Sequence, residues 1–197
     1  MWAYEGDHVG QGAVTTEAAF TLARPDCPHP DRWHATDPYS TENEVTALVA
    51  ALVTALQPDT VVETGTFVGN TAEAIGRALR ANGHGHLTTL EVDRDLAEQA
   101  AQRCAGLPVT VLNVSSLQYE PPQLIDFAWF DCDAHRRQDA FRHLLPWMHS
   151  RTVVGFHDTG PQHPVRELLN PLVAGGLLVS PLFLPTPRGV CFARVEA

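Results

Sequence analysis

Apolar residues in this chain recur with two different periods, and the places where the period changes divide it into elements. From Thr41 to Leu56, Val45, Leu48, Val49, Leu52, Val53 and Leu56 return every three or four positions, the stripe of an amphipathic helix. Thr41-x-x-Glu44 has the spacing of a capping box, so the pattern predicts that the helix opens at Thr41 and stops before Pro58. Thr60–Val62 then reads as a buried strand, and Thr71–Ala81 as a helix capped by Asn70 and ended by Asn82-Gly83. A second strand over His86–Val92, a helix over Asp95–Cys104 and a third strand over Val109–Leu112 follow. Leu124–Phe130 is a dense apolar run, the mark of a central parallel strand buried on both faces. Arg136–His149 reads as a helix with Phe141, Leu144, Leu145 and Met148 inward and Pro146 as a kink. Thr152–Phe156 is a fifth strand and Val165–Val173 a helix. Leu177–Leu184 and Val190–Val195 form a hairpin across Pro185-Thr186-Pro187-Arg188-Gly189.

This order is one helix, five alternating β-α units and a terminal hairpin. It predicts an α/β protein with a Rossmann-like, doubly wound sheet of seven strands. That sheet is mostly parallel, has one antiparallel hairpin at its C-terminal end, and carries helices on both faces. Residues 1–40 differ from the rest. Ala13–Ala23 has the composition of a short helix, and Arg24–Tyr39 carries four prolines among Cys27, His29, Trp33 and His34. We read 1–40 as an N-terminal arm or lid and 41–197 as one domain. The alternatives for the arm are a surface wrap, a wall of an acceptor site, an arm onto a second copy in a homodimer, and a Cys/His metal cluster.

Composition narrows the partners. The 197 residues carry a net charge of −10, and none of the 13 basic residues is Lys. No basic patch of the kind that nucleic acid requires is present. No run of 18 apolar residues points to a membrane span, and the first residues lack the basic start and apolar core of a signal peptide. The four cysteines, in no CxxC spacing, read as reduced and mostly buried thiols. The expected location is the cytoplasm.

Candidate chemistry gathers after the first strand. Glu63, Gly65, Thr66 and Gly69 form a strand–glycine loop–helix turn without the third glycine of GxGxxG and without GxxxxGK[ST]. Glu91 lies 22 positions after Gly69, where such folds place a carboxylate that binds a ribose. Carboxylates on both sides of the loop disfavour a phosphate and suit a cationic or neutral nucleoside such as S-adenosylmethionine. Polar residues also follow each later strand: Asn113 to Ser116, Asp131-Cys132-Asp133-Ala134-His135, and His157-Asp158. Turns and caps account for some of these. They do not account for two carboxylates and a histidine directly after an all-apolar strand.

VVETGTFVGNTA followed by TTLEVDRDLAEQA resembles the first two motifs of class I S-adenosylmethionine-dependent methyltransferases. The likeness is to the small O-methyltransferases of the catechol and caffeoyl-CoA type and to related antibiotic and sugar O-methyltransferases, and it runs from about Thr41 to the C-terminus. It implies O-methylation of a small hydroxylated acceptor, with the cofactor at Glu63, Gly65, Thr66, Gly69, Glu91, Ser115 and Asp131. In the similar enzymes a serine at the Ser115 position approaches the adenine. Asp131 matches their first metal carboxylate, and His157-Asp158 stands where they place two further ligands, usually an acid and then an amide. The resemblance therefore implies a divalent ion, Mg²⁺ or Mn²⁺ first, at Asp131, His157 and Asp158. Two alternatives stay open: that His157 and Asp158 hydrogen-bond to each other and the loop, or that they act as acid and base without metal. Catechol-type enzymes carry a lysine base three residues after the metal Asp; here that position is Ala134, and His135 follows it. An imidazole is a suitable base near neutral pH, so His135, with Asp131 and Asp158, is the expected catalytic set. The rival readings are an NAD-dependent oxidoreductase on the same sheet and a nucleoside-binding subunit without catalysis.

Overall fold

A computed structural model of the protein describes residues 27–196. The helix expected at Ala13–Ala23 and the first part of the arm lie outside the described residues. A short 3-10 turn, Pro30–Arg32, precedes α1 (Asn43–Leu56). The chain continues through β1 (Thr60–Thr64), α2 (Asn70–Asn82), β2 (His86–Glu91), α3 (Arg94–Arg103), β3 (Val109–Asn113), β4 (Ile125–Phe130), α4 (Arg137–Leu144), β5 (Met148–His157), α5 (Val165–Ala174), β6 (Leu178–Leu184) and β7 (Val190–Val195).

The seven strands form one sheet in the order β3-β2-β1-β4-β5-β7-β6. β1 to β5 run parallel, and β7 inserts antiparallel between β5 and β6. The chain winds outward from β1 to β3 on one side and from β4 onward on the other. The β1/β4 boundary is therefore the switch point, and a ligand site is expected beyond its carboxyl edge. β4 shows why the strand had to be apolar beyond Asp126, whose carboxylate is held at the strand's start by the amides of Asp59 and Thr60. Phe127 and Trp129 pack with Val45, Val49, Val53, Ile75 and Leu79 of α1 and α2, while Ala128 and Phe130 pack with Phe141, Leu169 and Leu172 of α4 and α5. Successive side chains point to opposite faces, so both faces draw on the same short strand. Each fully buried aromatic there contributes roughly 1.5–3 kcal/mol.

Three local expectations are corrected. The residues between β3 and β4 form turns and bends with no helix, so only four of the five parallel strands are followed by one. Pro121 and Pro122 lack the N–H that a helix there would use. The expected helix Arg136–His149 is shorter: it ends at Leu144, passes through the 3-10 turn Leu145–Trp147 around Pro146, and Met148 already belongs to β5, opposite Ile125. Met148 is buried as expected, but by the register of a strand. The capping box at Thr41 and Glu44 does not form. α1 starts at Asn43, and the side chains of both residues are engaged elsewhere.

Candidate active site

At the β1–β2 edge the chain turns sharply after Thr64. The amides of Gly65 and Thr66 donate to the carbonyl of Leu90, and Gly69 in the left-handed region (φ 85°) opens α2. Asn70, expected to cap this helix, instead donates its amide to Ser40 Oγ. The two glycines are demanded first by the chain's own packing. A Cβ on Gly65 (φ 82°) would lie 2.5 Å from the backbone of Asp131 and Cys132 at the end of β4, and one on Gly69 would lie 3.1 Å from Ala100 of α3. Glu91 braces the loop: its Oε2 accepts from the amide of Phe67 at 2.8 Å and its Oε1 from Asp93 at 3.0 Å. Glu63 lies beneath the loop. It is buried, accepts from Thr89 Oγ1 at 2.5 Å, and Thr89 in turn touches Thr66 Oγ1. Burial, reinforced by the charges of Asp131 and Glu91, pushes the Glu63 carboxyl up to about 8, so it is protonated at neutral pH. Ser115, half-buried after β3, accepts from the amide of Leu117.

The β4–β5 edge is built differently. Asp131 ends β4, and His157 and Asp158 end β5 with Asp158 at φ 58°. The guanidinium of Arg137, in the first turn of α4 and 3% exposed, reaches both carboxylates: Nη2 donates to Asp131 Oδ1 at 2.8 Å and to Asp158 Oδ2 at 2.7 Å. Its Nε donates to the carbonyl of Cys132, and Nη1 to that of His157. Arg188, in the β6–β7 turn, places Nε 2.7 Å from Asp158 Oδ1 and Nη2 3.1 Å from Oδ2. Asp131 Oδ2 accepts from Thr41 Oγ1 at 2.6 Å. His157 uses both ring nitrogens, Nδ1 on Asp131 Oδ1 at 3.1 Å and Nε2 on Glu42 Oε2 at 2.6 Å. Glu42 also accepts from the amide of Arg188. The side chains of His157 and Asp158 do not hydrogen-bond to each other, Nδ1 and Oδ1 being 3.6 Å apart. Burial alone would lower the His157 pKa. The carboxylates of Asp131, Asp158 and Glu42 outweigh it and hold the imidazole at about 10, hence charged. Burial likewise works against ionisation of Asp131, Asp158 and Glu42, and the neighbouring cations overcome it, so all three sit below the usual carboxylate range.

Two other imidazoles stand at this edge. His135 is exposed on the turn into α4, its amide bonded to Asp133 Oδ1. His163, on the loop after β5, has Nε2 3.5 Å from Asp158 Oδ1. Burial lowers the His163 pKa, and the cations Arg188, Arg137 and His157 add to that effect against the pull of Asp158. Sequence reasoning missed Arg137, Arg188, Thr41 and Glu42. The signal was present for Arg137, which follows the strand-four carboxylates, and hidden for Thr41 by its plausible role in a capping box with Glu44.

The geometry is matched by known proteins. A family model described as a methyltransferase domain fits residues 62–159, from β1 through the glycine loop to the residues after β5. Residues 62–159 belong to this methyltransferase family. No curated protein matches it. Among solved structures it is similar to the O-methyltransferase TomG from Streptomyces achromogenes in complex with SAM, with 22% identity, a TM-score of 0.68, and coverage of 81% of this chain and 83% of that one. It is also similar to the O-methyltransferase from Bacillus cereus in complex with SAH, at 20% identity, TM-score 0.68, and coverage of 81% and 84%. A methyltransferase from Geobacter sulfurreducens is a third, at 20% identity, TM-score 0.68, and 80% coverage of each chain. These likenesses establish the fold.

The methyltransferase sheet brings the three expected metal donors together: one ligand atom each from Asp131, His157 and Asp158 lie within 4.8 Å of one another. Proximity is met, but availability is not. A nitrogen that binds a metal must present a lone pair, whereas both His157 nitrogens face carboxylates as donors. Three of the four carboxylate oxygens of Asp131 and Asp158 already accept from Arg137, Arg188, His157 or Thr41, and the fourth, Asp158 Oδ1, makes no hydrogen bond but faces the Arg188 Nε cation at 2.7 Å. This donor set does not fit a divalent ion.

Proposed function

We propose that this methyltransferase takes its methyl group from S-adenosylmethionine and delivers it to a hydroxyl of a small molecule. The observation that carries this reading is the β1–β2 edge. A buried-strand turn with two left-handed glycines abuts the free amides of α2, beside the Glu91 carboxylate and next to Val92, an apolar residue left 72% exposed. Glu91 is suited to a pair of ribose hydroxyls and Val92 to the face of an adenine. Ser115, Thr66, Gly65 and Gly69 line the same edge, with Glu63 supporting the loop from below and Asp131 closing the side towards β4. Two similar structures are titled as complexes with SAM or SAH, which supports the same donor here. No comparable observation favours NAD: the loop lacks the third glycine, and the sheet ends in an antiparallel pair.

With the donor at that edge, the acceptor hydroxyl would stand over the end of β4, in line with the S–CH₃ bond. Alignment supplies much of the rate. We assign proton removal to His135, which precedes α4 directly after the strand-four carboxylates. His163 is the second candidate, favoured by its approach to Asp158 and by the burial that keeps it neutral. The residues before α1 cross this edge at Ser40 and Thr41, consistent with an arm that walls the acceptor site. The test is calorimetry with S-adenosylhomocysteine against NAD, followed by incubation with S-adenosylmethionine and phenolic and sugar acceptors. Binding of S-adenosylhomocysteine alone and its release during turnover are expected. Binding of NAD without S-adenosylhomocysteine would overturn the assignment.

A further inference from the structure

The β4–β5 edge holds a set of six side chains that face one another: the carboxylates of Glu42, Asp131 and Asp158, the guanidinium groups of Arg137 and Arg188, and the ring of His157. Arg137 Nη2 is the centre. It sits within 2.8 Å of one carboxylate and 2.7 Å of the other, the position that a cation shared by Asp131 and Asp158 would take. Every nitrogen of that guanidinium has an acceptor, two of them backbone carbonyls at the ends of β4 and β5. A guanidinium does not lose its proton in proteins, so the charge there is permanent. A dication would have to enter beside two permanent cations, in a site where Glu42, Arg137, His157 and Asp158 are buried, a costly arrangement.

The partners come from distant parts of the chain. Thr41 and Glu42 precede α1, Arg137 opens α4, and Arg188 lies in the turn between β6 and β7. Arg188 also donates to the carbonyls of Tyr39 and Ser40, and its own carbonyl accepts from Gly160. The cluster thus clamps the approach to α1 and the C-terminal turn onto the strand ends beside the proposed acceptor site. We propose that no divalent cation resides between Asp131 and Asp158 in this enzyme, and that Arg137, assisted by Arg188, occupies that place. The consequence for the chemistry, which rests on the O-methyltransferase reading, is that the acceptor hydroxyl is deprotonated by a protein base or by its own acidity, without a Lewis acid at these carboxylates.

Metal uptake tests this without turnover, so its outcome is separable from that of the methyltransfer reading. The intact wild-type protein is titrated with Mn²⁺ by electron paramagnetic resonance and melted with Mg²⁺, Mn²⁺ or chelator. No stoichiometric Mn²⁺ and a Tm unmoved by any of the three are expected. Binding of Mn²⁺ that Asp158→Asn abolishes would overturn the proposal. Binding that Asp158→Asn leaves intact places the ion elsewhere and upholds it. Arg137→Met then removes the cation from its place. It should lower the Tm by roughly 10 °C and regain part of that in Mn²⁺, a recovery that a merely structural arginine would not give. A folded Arg137→Met protein indifferent to Mn²⁺ would also overturn the proposal. If that variant fails to fold, the wild-type titration still decides.

Discussion

The two halves of the strand-end cleft solve the same problem in opposite ways. At the β1–β2 edge, polar groups are held by neighbours a few residues away or on the next strand, and the edge stays receptive: Glu91 braces backbone amides, and Val92 is bare. At the β4–β5 edge, Asp131, His157 and Asp158 are consumed by partners from the start of α1, the start of α4 and the last hairpin. On the function proposed above, the first edge receives the ligand and the second holds the protein together beside it. Carboxylates at a strand end do not announce which of these they do; the number of lone pairs already taken decides it.

Substitutions can separate the two roles. The largest effect is expected between the edges, at the proposed base. His135→Ala should lower turnover by about 10²- to 10⁴-fold with the affinity for S-adenosylhomocysteine unchanged. If turnover survives in His135→Ala and collapses in His163→Ala, single-turnover rates will have moved the base to the loop after β5.

Next comes the closed edge. His157→Ala leaves the buried Glu42 carboxylate with only the Arg188 amide, removes one of the partners of Asp131, and should cost about 3–5 kcal/mol of stability. Denaturant melts would measure this loss, and cofactor affinity in the folded fraction should stay near wild type. A loss of cofactor affinity with normal stability would reverse the comparison.

pH probes both edges at once. His157 binds its proton more tightly folded than unfolded, so between about pH 6.5 and 10 the native state holds more protons and each rise in pH favours unfolding. Glu63, raised from 4.5 to about 8, acts in the same direction over that lower window. Asp131, Asp158 and Glu42, held low, lose their contribution only in acid, as pH falls through and below the ordinary carboxylate range. The Tm should therefore decline from near neutrality towards pH 10, by roughly 5–10 °C. Glu63→Gln should flatten the part below pH 8 and leave the part above it. An alkaline-stable wild type would show that His157 is not the cation described here.

The smallest effect belongs to the open edge. Glu91→Ala should weaken S-adenosylhomocysteine about tenfold, near 1.4 kcal/mol by calorimetry, with a modest change in Tm. Gly69→Val is a poorer probe than the sequence suggests, because its Cβ meets α3 before it meets any ligand.

The sequence by itself determined what depends on neighbours in the chain. The period of the apolar residues set the helices and strands. The dense apolar run of β4 placed that strand at the centre of the sheet, and the spacing from Gly65 and Gly69 to Glu91 pointed to the edge proposed for the cofactor. Its errors were local competitions resolved elsewhere. Thr41 and Glu44 could cap α1, but Asp131 and His34 offered them partners. Met148 fitted a helix stripe until Pro146 ended the helix. Only the tertiary structure decided what Asp131, His157 and Asp158 are for. Most of their partners lie 20 or more positions away, with Arg137 on Asp131 and His163 near Asp158 as the local ones, and Glu42 and His157 are separated by 115. No pattern along the chain records which charges meet in space, and a buried carboxylate takes its role from the cation that reaches it first.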